Sequence, residues 1–267
     1  MPTPAINTRV PDAARRTPST LIVVTVADAI FEEPRLAEIY DHLEPNRPDL
    51  ELYLSLVGEF GARSVLDIGS GTGTFACLLA SRGIEVTAVD PAAASLAVAR
   101  AKPGANRVRW WHGDATTLPP LQVDIATMTG NVAQVFTTDS EWVSTLHATR
   151  RALRPDGRLV FESRVPEKRA WLEWNRQQSY RRTLIPSVGP VESWVDVTEV
   201  DGSLVTFRKT FIFESDGAVL TSDSTLRFRS RAEIASSVLV SGMTVEHVRD
   251  APDRPGLEFV FIARRAA

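Results

Sequence analysis

Apolar residues recur along the chain in patterns that change from one part to the next. Between residues 34 and 60 they fall at steps of three and four, as at Leu36, Ile39 and Leu43, which predicts helices. Beyond residue 63, short apolar runs alternate with helix-forming stretches. The predicted strands span 64–68, 85–89, 108–112, 123–128 and 158–163. Strands separated by helices require crossover connections, so this alternation predicts a parallel sheet with helices on both faces.

The pattern changes after the fifth predicted strand. Residues 167–176 predict a helix. From 191 to 228, three β-rich runs are separated by Asp201-Gly202 and Asp216-Gly217, pairs that are typical of hairpin turns. A helix and two further strands follow, over 231–241, 244–249 and 257–263. We therefore expect an antiparallel meander inserted before the last helix and a terminal hairpin.

These elements predict an α/β fold: a doubly wound, mostly parallel seven-stranded sheet with a terminal antiparallel hairpin, a small antiparallel β insertion and an N-terminal helical cap. The domain boundaries that we expect are an N-terminal arm at 1–33, partly disordered, a core with its cap at 34–175, the β insertion at 176–229, and the end of the core at 230–267. The insertion is too small for a second full domain and is expected to act as a lid or a dimer element.

Composition excludes several classes of protein. The 267 residues include 30 Lys+Arg against 33 Asp+Glu, a net charge of −3, which argues against a nucleic acid partner. Cys77 is the single cysteine, so no disulfide framework or multi-thiolate zinc site is expected, and the four histidines show no metal-ligand spacing. The apolar stretch 21–31 contains Asp28 and is too short to span a bilayer, and residues 1–20 do not resemble a signal peptide. A cytoplasmic protein without a membrane partner or a metal is the expectation.

The first strand runs into a glycine loop that predicts a ligand site. Gly69, Gly71 and Gly73 lack β-carbons, and the helix that follows offers free backbone N–H groups. A dinucleotide fingerprint would need glycine at the sixth position, where Thr74 stands. The Gly-Lys-Ser/Thr ending of a phosphate-binding P-loop is also absent.

Three acids follow the first three strands. Asp67, just before the loop, can hold a cationic group, although it could also only cap the turn. Asp90 ends the second strand and is placed to accept both hydroxyls of a ribose. Asp114 follows the third strand where an adenine edge would lie, although an ordinary turn is the alternative. A ligand with adenine, ribose and a cationic amino-acid tail satisfies all three acids, and S-adenosylmethionine is such a ligand.

On these residues the chain resembles the class I S-adenosylmethionine-dependent methyltransferases, a Rossmann-like family, in their small-molecule form. The resemblance covers about residues 36–165 and 231–265. The segments that carry it are Val65-Leu66-Asp67-Ile68-Gly69-Ser70-Gly71-Thr72-Gly73, Val89-Asp90-Pro91, Gly113-Asp114-Ala115 and Leu153-Arg154-Pro155-Asp156-Gly157-Arg158-Leu159.

The resemblance implies a set of cofactor-binding residues and a smaller set near the acceptor. The cofactor set is Tyr40, Asp67, Gly69, Ser70, Gly71, Thr72, Gly73, Asp90, Pro91, Asp114, Ala115, Thr129 and Gly130. The acceptor set is Asn131, Glu162 and Arg164. Tyr40 is expected to cover the cofactor. No catalytic residue is predicted, because the sulfonium methyl group is already activated.

The predicted function is transfer of a methyl group from S-adenosylmethionine to an O or N atom of a small molecule by in-line displacement, leaving S-adenosylhomocysteine. Two alternatives stay open: an NAD(P)-dependent oxidoreductase on a related fold, and a non-catalytic S-adenosylmethionine-binding module. The chain is expected to be a monomer or a homodimer. The identity of the acceptor is not readable from the sequence.

Overall fold

A computed structural model describes residues 27–266 of the chain. The arm predicted over 1–33 therefore lies mostly outside the described residues, as does the apolar stretch 21–31 up to residue 26. The helices are α1 (Ala29–Glu32), α2 (Pro34–Leu43), α3 (Asp49–Glu59), α4 (Thr74–Ser81), α5 (Ala93–Ala101), α6 (Asp139–Ala152), α7 (Arg176–Ser179) and α8 (Arg231–Val240). The strands are β1 (Ser64–Ile68), β2 (Glu85–Asp90), β3 (Val108–His112), β4 (Val123–Met128), β5 (Leu153–Arg164), β6 (Arg181–Ile185), β7 (Gly189–Asp201), β8 (Leu204–Phe213), β9 (Ala218–Arg227), β10 (Met243–Asp250) and β11 (Glu258–Arg265).

Seven of these strands form one sheet, in the order β10-β11-β5-β4-β1-β2-β3. Strands β1 to β5 are parallel to one another, whereas β11 is antiparallel to both β5 and β10. Every residue of the central strand β1 is buried, as expected of a strand covered on both faces. The predicted doubly wound sheet with its terminal antiparallel hairpin is confirmed.

Alternate residues of the central strands serve two hydrophobic cores, one on each face of the sheet. Val65 packs with α3 and α4, while Leu66 packs with α6 and α8. In β5, Val160 joins the first core and Phe161 the second, where Phe161 stacks on Phe261 with ring centroids 5.2 Å apart. The period of two along a strand explains this division.

The inserted segment forms a separate four-stranded antiparallel sheet, in the order β6-β7-β8-β9. The three predicted strands correspond to β7, β8 and β9. The prediction missed β6, whose five residues Arg-Arg-Thr-Leu-Ile show no clear alternation and are followed at once by Pro186. The inner face of this sheet packs against the cap, where Ile30, Leu36 and Ile39 contact Phe211 and Phe213.

The helix predicted over 167–176 was wrong. The segment instead forms two 3-10 turns, Pro166–Lys168 and Ala170–Glu173, before the short α7. Arg169 between them has φ +47°, which a continuous helix does not allow. Its tryptophans pack under the second sheet, with Trp171 at 4.6 Å from Phe228, centroid to centroid.

Within residues 27–266, no helix is both long and apolar enough to cross a membrane. In the same range, no group of three or more His, Cys, Asp or Glu side chains is close enough together to hold a metal ion.

Candidate active site

The carboxyl ends of the parallel strands meet at one edge of the seven-stranded sheet, and most of the predicted site residues lie there. We call this edge, formed by residues 67–73, 90–91, 129–131 and 162–164, the carboxyl edge. In open α/β sheets, ligands bind outside these strand ends. The fold thus brings together residues that are far apart in the sequence.

The three glycines of the loop have left-handed backbone conformations but different surroundings. Gly69, Gly71 and Gly73 have φ values of +70°, +53° and +77°. A β-carbon at Gly69 would lie 2.5 Å from Val132 Cγ2, and one at Gly73 would lie 2.4 Å from the Trp110 ring. A β-carbon at Gly71 would have no neighbour within 4 Å. Packing therefore requires glycine at positions 69 and 73, and only Gly71 opens directly onto free space.

Asp90 ties the glycine loop to the end of β2. Its Oδ2 accepts a hydrogen bond from Gly71 N at 2.7 Å, and its Oδ1 accepts one from Ala92 N at 2.8 Å. Burial raises the pKa of Asp90, and these two backbone N–H groups oppose that shift. Next to it, the carbonyl oxygen of Pro91 lies 2.9 Å from His112 Nε2. Each carboxylate oxygen of Asp90 has a second lone pair that a ligand hydroxyl can use.

Two buried polar atoms beside the loop have no hydrogen-bond partner among the described residues. They are Asp67 Oδ2 and Ser70 Oγ. The other carboxylate oxygen of Asp67 accepts from Thr127 Oγ1 at 3.0 Å, and burial raises the pKa of Asp67 to about 7 despite that bond. Leaving such atoms unpaired costs about 1–3 kcal/mol each. Such atoms fit a ligand that brings polar or cationic groups to the glycine loop.

The Asp114 side chain accepts hydrogen bonds from the turn that follows it. Its Oδ1 accepts from Thr116 N at 2.7 Å and from Thr117 N at 3.2 Å, so it caps the 3-10 turn Ala115–Thr117. Ala115 is buried in the hydrophobic core beneath. The turn geometry that was the alternative interpretation is thus present, and contact of Asp114 or Ala115 with an adenine ring stays a prediction.

The ends of β4 and β5 form a buried polar cluster. Thr129 and Gly130 lead into Asn131, which has φ +64° and donates from its backbone N to Glu162 Oε1 at 2.7 Å. Asn131 Nδ2 donates to Glu258 Oε1 at 3.1 Å. Burial, with a smaller contribution from the nearby Glu258, raises the pKa of Glu162 to about 8. This shift favours the protonated form of the Glu162 carboxyl group.

Arg164 connects the carboxyl edge to a cavity of about 330 Å³ below the second sheet. Its NH1 donates to Gln134 Oε1 at 3.0 Å, its Nε lies 4.0 Å from Glu258 Oε1, and its guanidinium lies 5.5 Å from the Trp174 ring centroid. We call this space the sheet cavity. Its lining includes Tyr40, Glu44, Arg164, Trp174, Phe207 and Lys209.

The cap helix α2 brings Tyr40 to the sheet cavity and is bound to the glycine loop through the next residue. Asp41 Oδ1 accepts from Thr72 Oγ1 at 2.6 Å, and its Oδ2 pairs with Lys102 Nζ at 2.5 Å. Lys102 Nζ also donates to Thr74 Oγ1 at 2.8 Å. Sequence reasoning missed Asp41 and Lys102, because no spacing connects them with the loop.

Arg47 is a second residue that sequence reasoning missed. Its guanidinium binds the Asp49 carboxylate through Nε at 2.9 Å and NH2 at 2.7 Å. A β-carbon at Gly130 would lie 3.9 Å from Arg47 NH2, so this arginine faces the end of β4. It stands in a segment whose only sequence signal is a helix break at Pro45 and Pro48.

The sequence of the core matches a known family. Residues 65–157 match the model of a family described as a methyltransferase domain. Over this range the chain is similar to that methyltransferase domain. The matched range begins in β1 and includes the glycine loop, Asp90 and Asp114. The antiparallel β11 between β5 and β10 also separates this sheet from the all-parallel strand order 3-2-1-4-5-6 of dinucleotide-binding folds.

Individual curated relatives of this chain are also described as methyltransferases. The chain is 30% identical over 146 residues to a ubiquinone/menaquinone biosynthesis C-methyltransferase from Rubrivivax gelatinosus, an alignment that covers 54% of each protein. It spans about half the length of the curated relatives that it matches first.

Solved structures share the fold over nearly the whole chain. The sugar N-methyltransferase KedS8 from a Streptoalloteichus species superimposes with a TM-score of 0.73 at 18% identity, covering 96% of this chain and all of that one. The CcbJ methyltransferase from Streptomyces caelestis superimposes with a TM-score of 0.70 at 21% identity, covering 87% of this chain and 96% of that one. At this level of identity the likeness shows a shared fold.

Proposed function

We propose that the protein is an S-adenosylmethionine-dependent methyltransferase that transfers the methyl group to an O or N atom of a small-molecule acceptor by in-line displacement. The observation that carries this proposal is the glycine loop, in which Gly71 leaves free space for a ligand and two buried polar atoms, Asp67 Oδ2 and Ser70 Oγ, have no hydrogen-bond partner among the described residues. This donor set fits the amino-acid part of the cofactor, and Asp90 lies beside it for the ribose.

The residues of this chain would bind and orient the cofactor. When bound, S-adenosylmethionine supplies a methyl group that its sulfonium has already activated. Asp90 accepts the ribose hydroxyls, Asp67 offers a carboxylate to the cationic amino end, and Tyr40 covers the site from the cap. Thr129 and Gly130 close the site at the end of β4, and Asp114 with Ala115 meets the adenine.

The acceptor would occupy the sheet cavity and reach the carboxyl edge beside Arg164. A volume of about 330 Å³ suits a small molecule. The main contribution of the protein is to hold the acceptor atom and the methyl group in line at about 3–3.5 Å. Asn131 and Glu162 lie at the same edge and contact the acceptor or orient the chain around it. The segment 176–229 acts as the lid over the acceptor.

Nitrogen acceptors are the first to test. An unprotonated amine needs no general base, whereas a hydroxyl group can require one. KedS8, which shares the fold, is described as a sugar N-methyltransferase. We further propose that the protein is cytoplasmic, a monomer or a homodimer, with neither nucleic acid nor a membrane as a partner, in keeping with its net charge of −3.

The test has a binding part and a transfer part. Isothermal titration with S-adenosylmethionine, S-adenosylhomocysteine and NADH should show binding of the first two and not of NADH. Mass spectrometry of a panel of small amines and phenols should then show a product that has gained one methyl group. Tight NADH binding without S-adenosylmethionine binding would make the protein an oxidoreductase, and binding without any transfer across the panel would leave a non-catalytic module.

A further inference from the structure

The sheet cavity carries more positive than negative charge in its lining. Arg164, Arg181 and Lys209 line it, together with a single carboxylate, Glu44. Glu44 lies 3.5 Å from Arg181 at the exposed rim, where both side chains are more than half exposed. The two cations deeper in the cavity, Arg164 and Lys209, therefore remain to be explained.

Lys209 stands in an otherwise apolar row on the inner face of the second sheet. Its neighbours along β8 on the same face, Phe207 and Phe211, are buried, and it pairs across the sheet with Val195 and Ser222. Lysine is rare at such positions, because its ammonium group loses hydration when it is enclosed. Packing of the sheet against the cap gives no reason for a cation in this row.

No carboxylate of the described chain lies within 4.0 Å of Lys209 Nζ, and its ammonium donates no hydrogen bond there. Burial lowers its pKa, Glu44 and Asp28 oppose that shift, and Arg164 and Arg181 add to it. Asp28 and Glu44 thus act on Lys209 only from a distance. Its charge has no close counter-ion among residues 27–266.

The positive charge of Arg164 is only partly balanced by nearby carboxylates. Its guanidinium donates a hydrogen bond to the neutral Gln134 at 3.0 Å, and its closest carboxylate, that of Glu258, lies 4.0 Å away. That carboxylate already accepts hydrogen bonds from Asn131 and, at 2.9 Å, from Arg254. An anion placed between Arg164 and Lys209 would form charge-assisted hydrogen bonds with both, which are stronger than neutral ones.

Aromatic side chains form the wall next to these cations. The ring centroids of Trp174 and Phe207 lie 4.8 Å apart in an edge-to-face arrangement, and Tyr40 on α2 also lines the cavity. Rings of this kind offer flat apolar surface for a planar molecule. The cavity therefore combines a cationic end with an aromatic wall.

We propose that the methyl acceptor is a planar or aromatic molecule with a carboxylate or phosphate group, which Lys209 and Arg164 bind in the sheet cavity. This proposal rests on the proposed function for the role of the bound molecule, but anion binding itself can be measured without cofactor or turnover. The apolar body lies against Trp174 and Phe207. Carboxylate and phosphate are two sources of the same chemistry, and separate probes distinguish them.

The test uses the full chain without cofactor and three small probes: benzoate, phenyl phosphate and benzamide. Ligand-observed NMR at millimolar concentrations measures their affinities. Benzoate or phenyl phosphate should bind about tenfold more tightly than benzamide, the neutral analogue of benzoate. The better of the two anions identifies the group. Equal affinity for benzamide, or no binding of either anion, overturns the proposal without any variant.

Variants locate the site. Lys209→Met keeps the apolar stem and removes one of the two charges, so it should clearly reduce the preference for the anion over benzamide. Lys168→Met, at an exposed lysine outside the cavity, should leave that preference unchanged. Thermal unfolding checks that each variant is folded, and titration with S-adenosylhomocysteine checks that each still binds this molecule. An unchanged preference for the anion in Lys209→Met overturns the assignment to this site. If the unchanged protein fails to bind S-adenosylhomocysteine, that result counts against the proposed function and not against anion binding.

Discussion

Asp41, on the cap helix, accepts a hydrogen bond from Thr72 Oγ1 in the glycine loop at 2.6 Å, although 31 positions separate the two residues. Lys102 pairs with the other oxygen of the same carboxylate. Because Tyr40 precedes Asp41 on α2, its position depends on the conformation of the loop. The cap is thus joined to the glycine loop and to Lys102 by polar contacts at its C-terminal end.

We expect Asp41→Ala to weaken S-adenosylhomocysteine binding about fivefold to tenfold, because the loss of a hydrogen bond of about 1 kcal/mol frees the cap. Amide hydrogen exchange over residues 34–43 should become faster. Glu38→Ala, at an exposed position of the same helix, is the control. Unchanged affinity and exchange in Asp41→Ala would show that the cap does not depend on this contact.

Gly71→Ala and Gly73→Ala should fail in different ways. At Gly71 the new methyl group points into free space where the cofactor would lie, so the protein should fold with a loss of about 1–2 kcal/mol but bind S-adenosylhomocysteine poorly. At Gly73 it would collide with Trp110 and Ala99, so the fold itself should lose more stability. Urea unfolding and isothermal titration separate the two effects.

Gly83→Ala is the matched control for this pair. Gly83 has φ +82° and no neighbour within 4 Å of its would-be β-carbon, but it lies at the far end of α4 from the loop. Gly83→Ala should lose only the stability that backbone strain costs and should bind S-adenosylhomocysteine with the affinity of the unchanged protein. If Gly71→Ala binds the cofactor as Gly83→Ala does, the free space at Gly71 is not the binding site.

Asp90→Asn should lower the affinity for S-adenosylmethionine about tenfold to a hundredfold. The amide still can accept one hydrogen bond, but its NH2 group opposes either Gly71 N or Ala92 N, and it loses the charge that a ribose hydroxyl would meet. Isothermal titration measures this, with Asp201→Asn in the exposed hairpin turn as the control. Equal loss in both variants would argue against a role for Asp90 in binding.

The stability of the unliganded protein should fall as the pH rises from about 5 to 8. The folded-state pKa values of Glu162 and Asp67 are raised to about 8 and about 7, from 4.5 and 3.8. The folded protein therefore binds protons that the unfolded chain has lost in this range. Each group contributes stability that is complete below its unfolded pKa and is lost as the pH rises through its folded pKa, at up to about 1.4 kcal/mol per pH unit.

Glu162→Gln isolates one of these groups. The glutamine cannot ionise, and its Oε1 can still accept from Asn131 N, so the free energy of unfolding should depend less steeply on pH. Urea unfolding at several pH values measures the slope. Glu38→Gln, at an exposed glutamate, should keep the slope of the unchanged protein. A slope in Glu162→Gln equal to that of the control would refute the raised pKa.

The sequence predicted the seven-stranded sheet well, because its strands are short apolar runs ended by glycine, proline or aspartate, as at Asp90-Pro91. The same regularity brought Asp67, Asp90 and Glu162 to one edge. The segment between β5 and β7 was less predictable, since Arg169 takes a left-handed conformation that its residue type does not indicate. Asp41 and Lys209 could not be found from the sequence, since their surroundings come from distant segments.

The second sheet lies between β5 and α8 in the sequence, whereas the glycine loop, Asp90 and Asp114 all precede it. Under the proposed function, one stretch of the chain holds the cofactor and a later one forms most of the acceptor wall. Substitutions on the inner face of β7 and β8 leave the contacts of Asp90 and Asp67 untouched. Acceptor preference can therefore diverge between related proteins, or be redesigned in this one, by repacking one face of a four-stranded sheet while the methyl-donor half of the enzyme stays the same.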